Sequence, residues 1–131
     1  DFKGKKILLA EDNALNAEIT TTILRDMGFE VKAVEDGILC VNEIQHQPSN
    51  TYDLILMDIQ MPKMDGYKAT KEIRSLQDNA KACIPIVAMT ANAFEEDKKM
   101  AMDAGMNGHV SKPIDVNVLE KQILNIFKKV S

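Results

Sequence analysis

Five short apolar runs alternate with longer amphipathic stretches, and this alternation constrains the fold more than any other feature of the chain. The runs lie at residues 7–10, 30–34, 54–57, 86–89 and 109–111. Each is bounded by polar or turn-forming residues and is separated from the next by enough chain for a helix. This pattern is typical of parallel strands covered on both faces by right-handed crossover helices. We therefore predict a doubly wound α/β domain with a five-stranded parallel sheet and five helices.

The first three stretches between these runs have clear helical patterns. Apolar residues recur at helical spacing in the first stretch, which ends at Gly28, a residue suited to the left-handed conformation of a helix C-cap. The second helix is predicted to begin near Asp36, a common N-cap residue, and to end before Pro48. The third is predicted over residues 66–76.

The fourth and last helices differ in how much apolar surface they carry. The fourth, predicted over residues 94–104, consists mostly of charged and small residues, so we expect it to be a mobile element. The last helix begins after Asp115 and carries an apolar stripe that is longer than a single core-facing side needs. This length suggests that part of the stripe faces a partner. The inward residues are predicted to be Leu15, Ile19, Ile23, Leu24 and Met27 in the first helix, Ile73 and Leu76 in the third, and Val116, Leu119, Ile123, Ile126, Phe127 and Val130 in the last.

Length, charge and cysteine usage exclude several classes of protein. At 131 residues, 45% of them hydrophobic, we expect a single domain over residues 1–131. The net charge of −4 provides no basic face for nucleic acid or a membrane surface. Neither a membrane-spanning run nor a secretory signal is evident, so a cytoplasmic location is expected. Cys40 and Cys83 are expected to be reduced thiols that pack as small hydrophobic side chains.

Polar side chains gather where the predicted strands end. Glu11 and Asp12 follow the first strand, Asp58 the third, Thr90 the fourth and Lys112 the fifth. In an open α/β sheet, ligands bind in the crevice beyond the carboxyl ends of the strands. The sheet is therefore predicted to bring these five side chains to a single edge.

This set of side chains suits a magnesium ion and a phosphoryl group. Clustered carboxylates repel one another, and a hard cation with oxygen ligands relieves that repulsion. Neither His nor Cys accompanies the acids, so zinc is a poor candidate. If a carboxylate accepts a phosphoryl group, its three equatorial oxygens need charge and hydrogen bonds, which Lys112, Thr90 and the metal would supply.

Four stretches of the chain, in this order and spacing, resemble the response-regulator receiver family of two-component signalling. They are residues 7–13 (ILLAEDN), 57–66 (MDIQMPKMDG), 89–93 (MTANA) and 111–114 (SKPI). The resemblance implies the flavodoxin-like strand order 2-1-3-4-5. It also implies a phosphorelay function, in which a histidine kinase or a histidine phosphotransfer domain is the partner that donates the phosphoryl group.

The resemblance also implies a role for each residue at the predicted edge. Asp58 would be the phosphate acceptor, Thr90 a hydroxyl switch and Lys112 the phosphate-binding lysine. Mg²⁺ would be held by the carboxylates of Glu11, Asp12 and Asp58 and by the backbone carbonyl of Gln60. The isolated domain would then catalyse its own phosphorylation and dephosphorylation, and the surface formed by the fourth helix, the fifth strand and the last helix would switch. Dimerisation through that surface is left open.

Further stretches are similar to the receivers attached to hybrid sensor histidine kinases. They are residues 4–7 (GKKI), the EDN stretch followed by Asn16, and residues 104–109 (AGMNGH). One position departs from the family pattern, because many members carry Tyr or Phe where this chain has His109, three residues before Lys112. Two readings of His109 stay open, a half-buried strand residue and a switch that depends on its charge near neutral pH.

Other functions on this type of sheet require residues that the chain lacks. A phosphohydrolase with an aspartate nucleophile usually needs a second Asp two residues after it, and Gln60 stands there. A phosphorylation-independent interaction module is expected to have lost Asp58, Lys112 or the acidic pair, and none is missing. Flavin binding calls for a phosphate-cradling loop after the first strand, where Glu11 and Asp12 would repel the phosphate.

Overall fold

A computed structural model describes residues 2–91 and 95–130 of the chain. Its strands form one parallel sheet in the order β2-β1-β3-β4-β5, which confirms the predicted fold. The strands are β1 Lys6–Ala10, β2 Glu30–Val34, β3 Leu54–Asp58, β4 Ile86–Thr90 and β5 Gly108–Ser111. Each predicted strand boundary lies within one residue of the observed one.

The described residues contain six helices, one more than predicted. They are α1 Ala14–Asp26, α2 Gly37–His46, α3 Gly66–Arg74, α4 Asn79–Ala82, α5 Glu95–Ala104 and α6 Val116–Val130. The unpredicted helix α4 is a single turn capped by Asp78, whose carboxylate accepts from the amides of Ala80 and Lys81 at 3.0 and 3.3 Å. Four residues are too few to produce a hydrophobic period, so this helix could not be predicted from periodicity.

The hydrophobic core has two layers, one on each face of the sheet. Alternate residues of the central strands point to opposite faces, as the pleat requires. On one face they pack with α2, α3 and α5, through residues such as Cys40, Ile73 and Ala101. On the other they pack with α1 and α6, through residues such as Leu24 and Ile123.

The predicted ends of the first two helices are confirmed. Gly28, which follows the last residues of α1, has φ +110°, a conformation that a side chain rarely tolerates. At the start of α2, Asp36 accepts a hydrogen bond from the amide of Leu39 at 2.8 Å. The third helix is shorter than predicted, because it ends at Arg74 and leaves the half-buried Leu76 in the following loop.

Several predicted positions of side chains are wrong. In α1, Leu24 is fully buried, but Leu15 and Ile19 are 65% and 50% exposed. Val116 of α6 is likewise 45% exposed. Cys83 lies at the surface, whereas Cys40 is buried as predicted.

Strand β2 departs from the expectation that every strand is buried on both faces. All five of its residues are exposed or half-buried because it is an edge strand, paired with β1. The predicted start of the fourth helix at Phe94 and the side chain of Val130 lie outside the described part of the structure. Within the described residues, none of the helices has the length and apolar character needed to span a bilayer.

Candidate functional site

The parallel register brings the ends of three strands to one edge of the sheet. Asp58 and Thr90 are the last residues of β3 and β4, and Asp58 lies opposite Met89 in the register. Strand β1 ends at Ala10, directly before Glu11. A cleft of about 840 Å³ opens at this edge, and all five predicted side chains line it together with Gln60.

Three carboxylates converge in this cleft. One oxygen from each of Glu11, Asp12 and Asp58 lies within 4.8 Å of the others. Glu11 and Asp58 are only 3% and 4% exposed, whereas Asp12 is exposed. Two like charges about 4 Å apart repel by about 4 kcal/mol at an effective dielectric constant near 20. Such a cluster requires a compensating cation.

Lys112 supplies part of that compensation. Its Nζ lies 2.8 Å from Asp58 Oδ2, to which it donates a hydrogen bond, and 2.9 Å from Glu11 Oε1. Burial lowers the pKa of the Lys112 ammonium, but the contacts with Asp58 and Glu11 outweigh burial and the net pKa is raised. Lys112 is therefore a permanent cation at the floor of the cleft.

The donor atoms around the cleft suit a magnesium ion. All are oxygens, and the exposed position of Asp12 leaves the site open to the water molecules that Mg²⁺ retains. Glu11 Oε1 is buried and already faces one cation, the ammonium of Lys112, at 2.9 Å. A carboxylate oxygen of this kind is a suitable ligand for a cation. The residues present therefore fit the metal that the sequence predicted.

The loop over residues 59–65 forms one wall of the cleft. The amide of Gln60 donates to Asp58 Oδ1 at 3.2 Å, so both oxygens of the Asp58 carboxylate have a partner. Gly66, at the start of α3, lies against the base of the loop and donates from its amide to Ile59 O at 2.8 Å. A Cβ at Gly66 would stand 2.5 Å from the carbonyl oxygen of Asp58. The sequence predicted only a helix start at Gly66, but its lack of a side chain lets α3 begin directly beside Asp58.

Thr90 lies next to the carboxylates and is 7% exposed. Its carbonyl oxygen accepts a hydrogen bond from the amide of Lys112 at 2.8 Å, which ties the end of β4 to the lysine. Of the small residues that follow Thr90 in the chain, the structure describes Ala91. Asn92 and Ala93 lie outside the described residues.

Three further residues line the cleft that sequence reasoning did not find. Tyr67 comes from α3, and Asp97 and Met100 come from α5. Burial raises the pKa of the Tyr67 hydroxyl, and the charges of Asp97 and Asp65 raise it further. The only available signal was the position of α5, which follows Thr90 in the chain. Asp97 and Met100 therefore place the N-terminal and middle part of α5 at the wall of the cleft.

His109 is half-buried in β5, as one of the two readings from the sequence proposed. Burial lowers the pKa of its imidazole, Lys98 lowers it further, and Glu95 opposes the shift. Both charged residues belong to α5. His109 is therefore favoured as a neutral ring next to the first turn of that helix.

Comparison with known proteins identifies the family. The sequence profile described as the response regulator receiver domain matches residues 7–124. The chain belongs to this family. Its members with solved structures include the receiver domain of the sensor histidine kinase PA1611 from Pseudomonas aeruginosa, which contains a magnesium ion coordinated in its active-site cleft. That receiver is 41% identical, with a TM-score of 0.80 over 90% of this chain and 93% of the other.

Two other relatives place receivers of this kind in signalling proteins. The chain is 38% identical over 91% of its length to hybrid signal transduction histidine kinase I from Dictyostelium discoideum. It is 30% identical, with a TM-score of 0.84, to the receiver domain of Ssk1 from Saccharomyces cerevisiae, crystallised with the histidine phosphotransfer protein Ypd1; the match covers 94% of this chain and 88% of the other. The chain spans only 5% to 14% of the length of the curated relatives it matches.

Proposed function

We propose that this receiver acts in a phosphorelay, in which Asp58 receives a phosphoryl group from a phosphohistidine with Mg²⁺ bound beside it. One observation carries the proposal. The buried carboxylate of Asp58 lies within 4.8 Å of two further acids and 2.8 Å from the ammonium of Lys112, in a cleft open to solvent. The cluster therefore combines a nucleophile, ligands for a divalent cation and a fixed positive charge.

In the proposed transfer, a carboxylate oxygen of Asp58 attacks the phosphorus atom of the phosphohistidine. A P–O bond forms, the P–N bond breaks, and its electron pair leaves with the donor imidazole, which takes up a proton. Mg²⁺, when bound by Glu11, Asp12, Asp58 and the carbonyl of Gln60, neutralises charge on the phosphoryl oxygens. Lys112 already contacts Asp58, so its ammonium is placed to form an ion pair with the new phosphate. Thr90 would donate its hydroxyl to one phosphoryl oxygen.

A groove of about 370 Å³ next to the cleft provides a docking surface for the phosphodonor. It runs between α1 and the loop after β5, and it shares Glu11, Asn16 and Lys112 with the cleft. Ile19 lines the groove and is 50% exposed, and Leu15 on the same helix is 65% exposed. Exposed apolar side chains beside a reactive site favour a protein partner. We propose a histidine phosphotransfer domain or a histidine kinase as that partner.

The wider context of the domain follows from the same proposal. Residues 1–131 would form a single receiver domain within a hybrid histidine kinase. The kinases to which the chain is similar are much longer than the chain itself. The free thiol of the exposed Cys83 is consistent with a reducing compartment, and we propose the cytoplasm. We expect no nucleic acid or membrane to bind this domain. Dimerisation through α5, β5 and α6 stays a prediction.

The phosphohydrolase alternative is disfavoured by the position of Gln60. A general acid is needed there, whereas Gln60 has a side chain that transfers no proton, and its amide already donates to the Asp58 carboxylate. An interaction module without phosphorylation has no use for a buried acid cluster, which costs folding free energy.

The test is phosphorylation by a small donor. Acetyl phosphate with Mg²⁺ should add one phosphoryl group to the wild-type domain, and Asp58→Asn should abolish the addition, as followed by intact-mass spectrometry. Asp65→Asn is the matched control, because Asp65 is an exposed acid of the same cleft. Full phosphorylation of the Asp58→Asn variant at another residue would refute the assignment.

A further inference from the structure

The loop after Asp58 contains a tight turn with an unusual backbone. The amide of Met64 donates to the carbonyl oxygen of Pro62 at 2.7 Å, so Pro62, Lys63 and Met64 form a three-residue turn. Lys63, its central residue, has φ +67°. A γ-turn with a positive central φ is rare and strained, and a residue with a side chain persists there only when the surroundings enforce it.

Helix α2 supplies those surroundings on the outer side of the turn. Gly37, the first residue of α2, is buried and its backbone packs directly on Met64. A Cβ at Gly37 would stand 3.0 Å from both Cβ and Cγ of Met64, and closer still to its carbonyl oxygen. Asp36, which is 4% exposed, also lies 3.9 Å from the ammonium of Lys63 through its Oδ2.

The inner side of the loop is held independently. Gly66 donates to Ile59 O at 2.8 Å, and the Gln60 amide donates to Asp58 Oδ1 at 3.2 Å. The segment that contains Gln60 therefore lies between a base fixed to β3 and a turn fixed to α2. Because the loop is short, a displacement of Met64 is transmitted to Gln60 and to the wall of the cleft.

We infer that Asp36 and Gly37 are positioning residues for the metal site. They hold the strained 62–64 turn against the N-terminus of α2, and this contact keeps the backbone of Gln60 at the wall of the cleft. The inference rests on the proposed function, which makes the carbonyl of Gln60 a ligand of Mg²⁺. It adds a dependence of magnesium affinity on a helix that contributes no residue to the cleft lining.

The experiment is a size series at Gly37 with a matched series at the next residue. Gly37→Ala and Gly37→Val should raise the Kd for Mg²⁺ in steps, by about tenfold for Ala, which is the usual effect of removing a contact that orients a metal ligand. Ile38→Ala and Ile38→Val are the controls, because Ile38 occupies the same turn of α2 and is 40% exposed. The Ile38 variants should leave the Kd unchanged.

A second measurement reports the contact without metal. The Met64 amide, which closes the turn, should exchange its hydrogen faster in both Gly37 variants than in either Ile38 variant when no Mg²⁺ is present. Far-ultraviolet circular dichroism verifies that each variant is folded. Wild-type affinity and unchanged exchange in a folded Gly37→Val variant would overturn the inference alone. A wild-type domain that binds no Mg²⁺ would overturn the proposed metal role and this inference with it.

Discussion

Lys112 compensates the negative charge of the carboxylates in the cleft. Its ammonium lies 2.8 Å from Asp58 and 2.9 Å from Glu11, both of which are almost fully buried. Removing the cation would leave two buried carboxylates without compensation, a change that commonly costs several kcal/mol. Lys112 therefore stabilises the fold before any phosphoryl group arrives, and the same position serves the proposed transfer.

At the same scale, Asp12 and Asp65 should differ in their effect on magnesium binding. Asp12 belongs to the converging carboxylates, whereas Asp65 caps α3 and accepts from the amide of Lys68 at 2.9 Å. Asp12→Asn should raise the Kd for Mg²⁺ by about tenfold or more, which corresponds to about 1.4 kcal/mol. Asp65→Asn retains the cap and should change the Kd by less. Titration followed by backbone NMR decides between them, and equal losses would mean that the metal does not bind at the acid cluster.

Individual site residues were predictable because parallel strands place their carboxyl ends at one edge, which made Glu11, Asp58 and Lys112 neighbours before any contact was known. The exposure of Leu15 and Ile19 was not predictable in this way. Helical periodicity shows which apolar residues lie on the same face of a helix. How many of these residues are buried depends on the elements that pack against that face. Here the stripe of α1 extends beyond the core into the groove beside Lys112.

At the scale of elements, Arg74 joins three segments that are distant in sequence. Its guanidinium donates to Ala82 O and Ile84 O at 2.8 and 2.7 Å, and to Gly105 O at 3.0 Å. It also donates to Asn107 Oδ1 at 2.9 Å. The end of α3 is thereby fixed to the start of β4 and to the loop after α5. The sequence contained no sign of this role, because an Arg at a helix C-terminus is ordinarily explained by the helix dipole.

Replacement of Arg74 by Lys should therefore destabilise the domain although the charge is kept. The planar guanidinium of Arg74 donates to carbonyl oxygens in two directions, whereas a lysine has one compact donor group. With lysine at this position, some of the buried acceptors would lose their partners. We expect a loss of about 1–3 kcal/mol in the free energy of unfolding, measured by urea denaturation. Lys71→Arg, at an exposed position of the same helix, is the control and should change little. A stability equal to wild type for Arg74→Lys would contradict the bridging role.

Strands were easier to predict than helices in this chain, and the reason is the sheet. Central strands buried on both faces produce continuous apolar runs with sharp ends, as in β3 and β4, whose residues are all buried. Helix α4 is formed by an Asp78 cap and the short connection between α3 and β4, and these local constraints create no period. The exposed edge strand β2 was found by its alternation with helices, although its exposure was not predicted.

At the scale of the whole molecule, the helices differ in how firmly the sheet holds them. The described residues of α5 bury only Ala101 and Ala104, whereas α6 buries Leu119, Ile123 and Ile126. Helix α1 buries less of its apolar stripe than predicted, because Leu15 and Ile19 are exposed. Among the helices longer than one turn, α5 is the one whose buried residues are all alanines, and its Asp97 and Met100 line the cleft. A structural change at Asp58 therefore acts directly beside the most weakly packed of these longer helices.

Phosphorylation should accordingly move α5 before any other helix. A phosphoryl group adds about −1.5 to −2 units of charge next to Thr90 and Lys112, and both should be drawn toward its oxygens. Thr90 is followed in the chain by Ala91 and then by α5, so a displacement of Thr90 acts on that helix. A second arrangement of α5 costs little free energy because only small side chains leave the core. Beryllofluoride with Mg²⁺ mimics the acyl phosphate, so changes in hydrogen exchange should concentrate between residues 90 and 112. Within α5 the changes should be larger in the N-terminal part, since Arg74 holds Gly105, directly after the helix, in place. Changes centred on residues 30–44, with 90–112 unaffected, would show that the signal leaves Asp58 by another route.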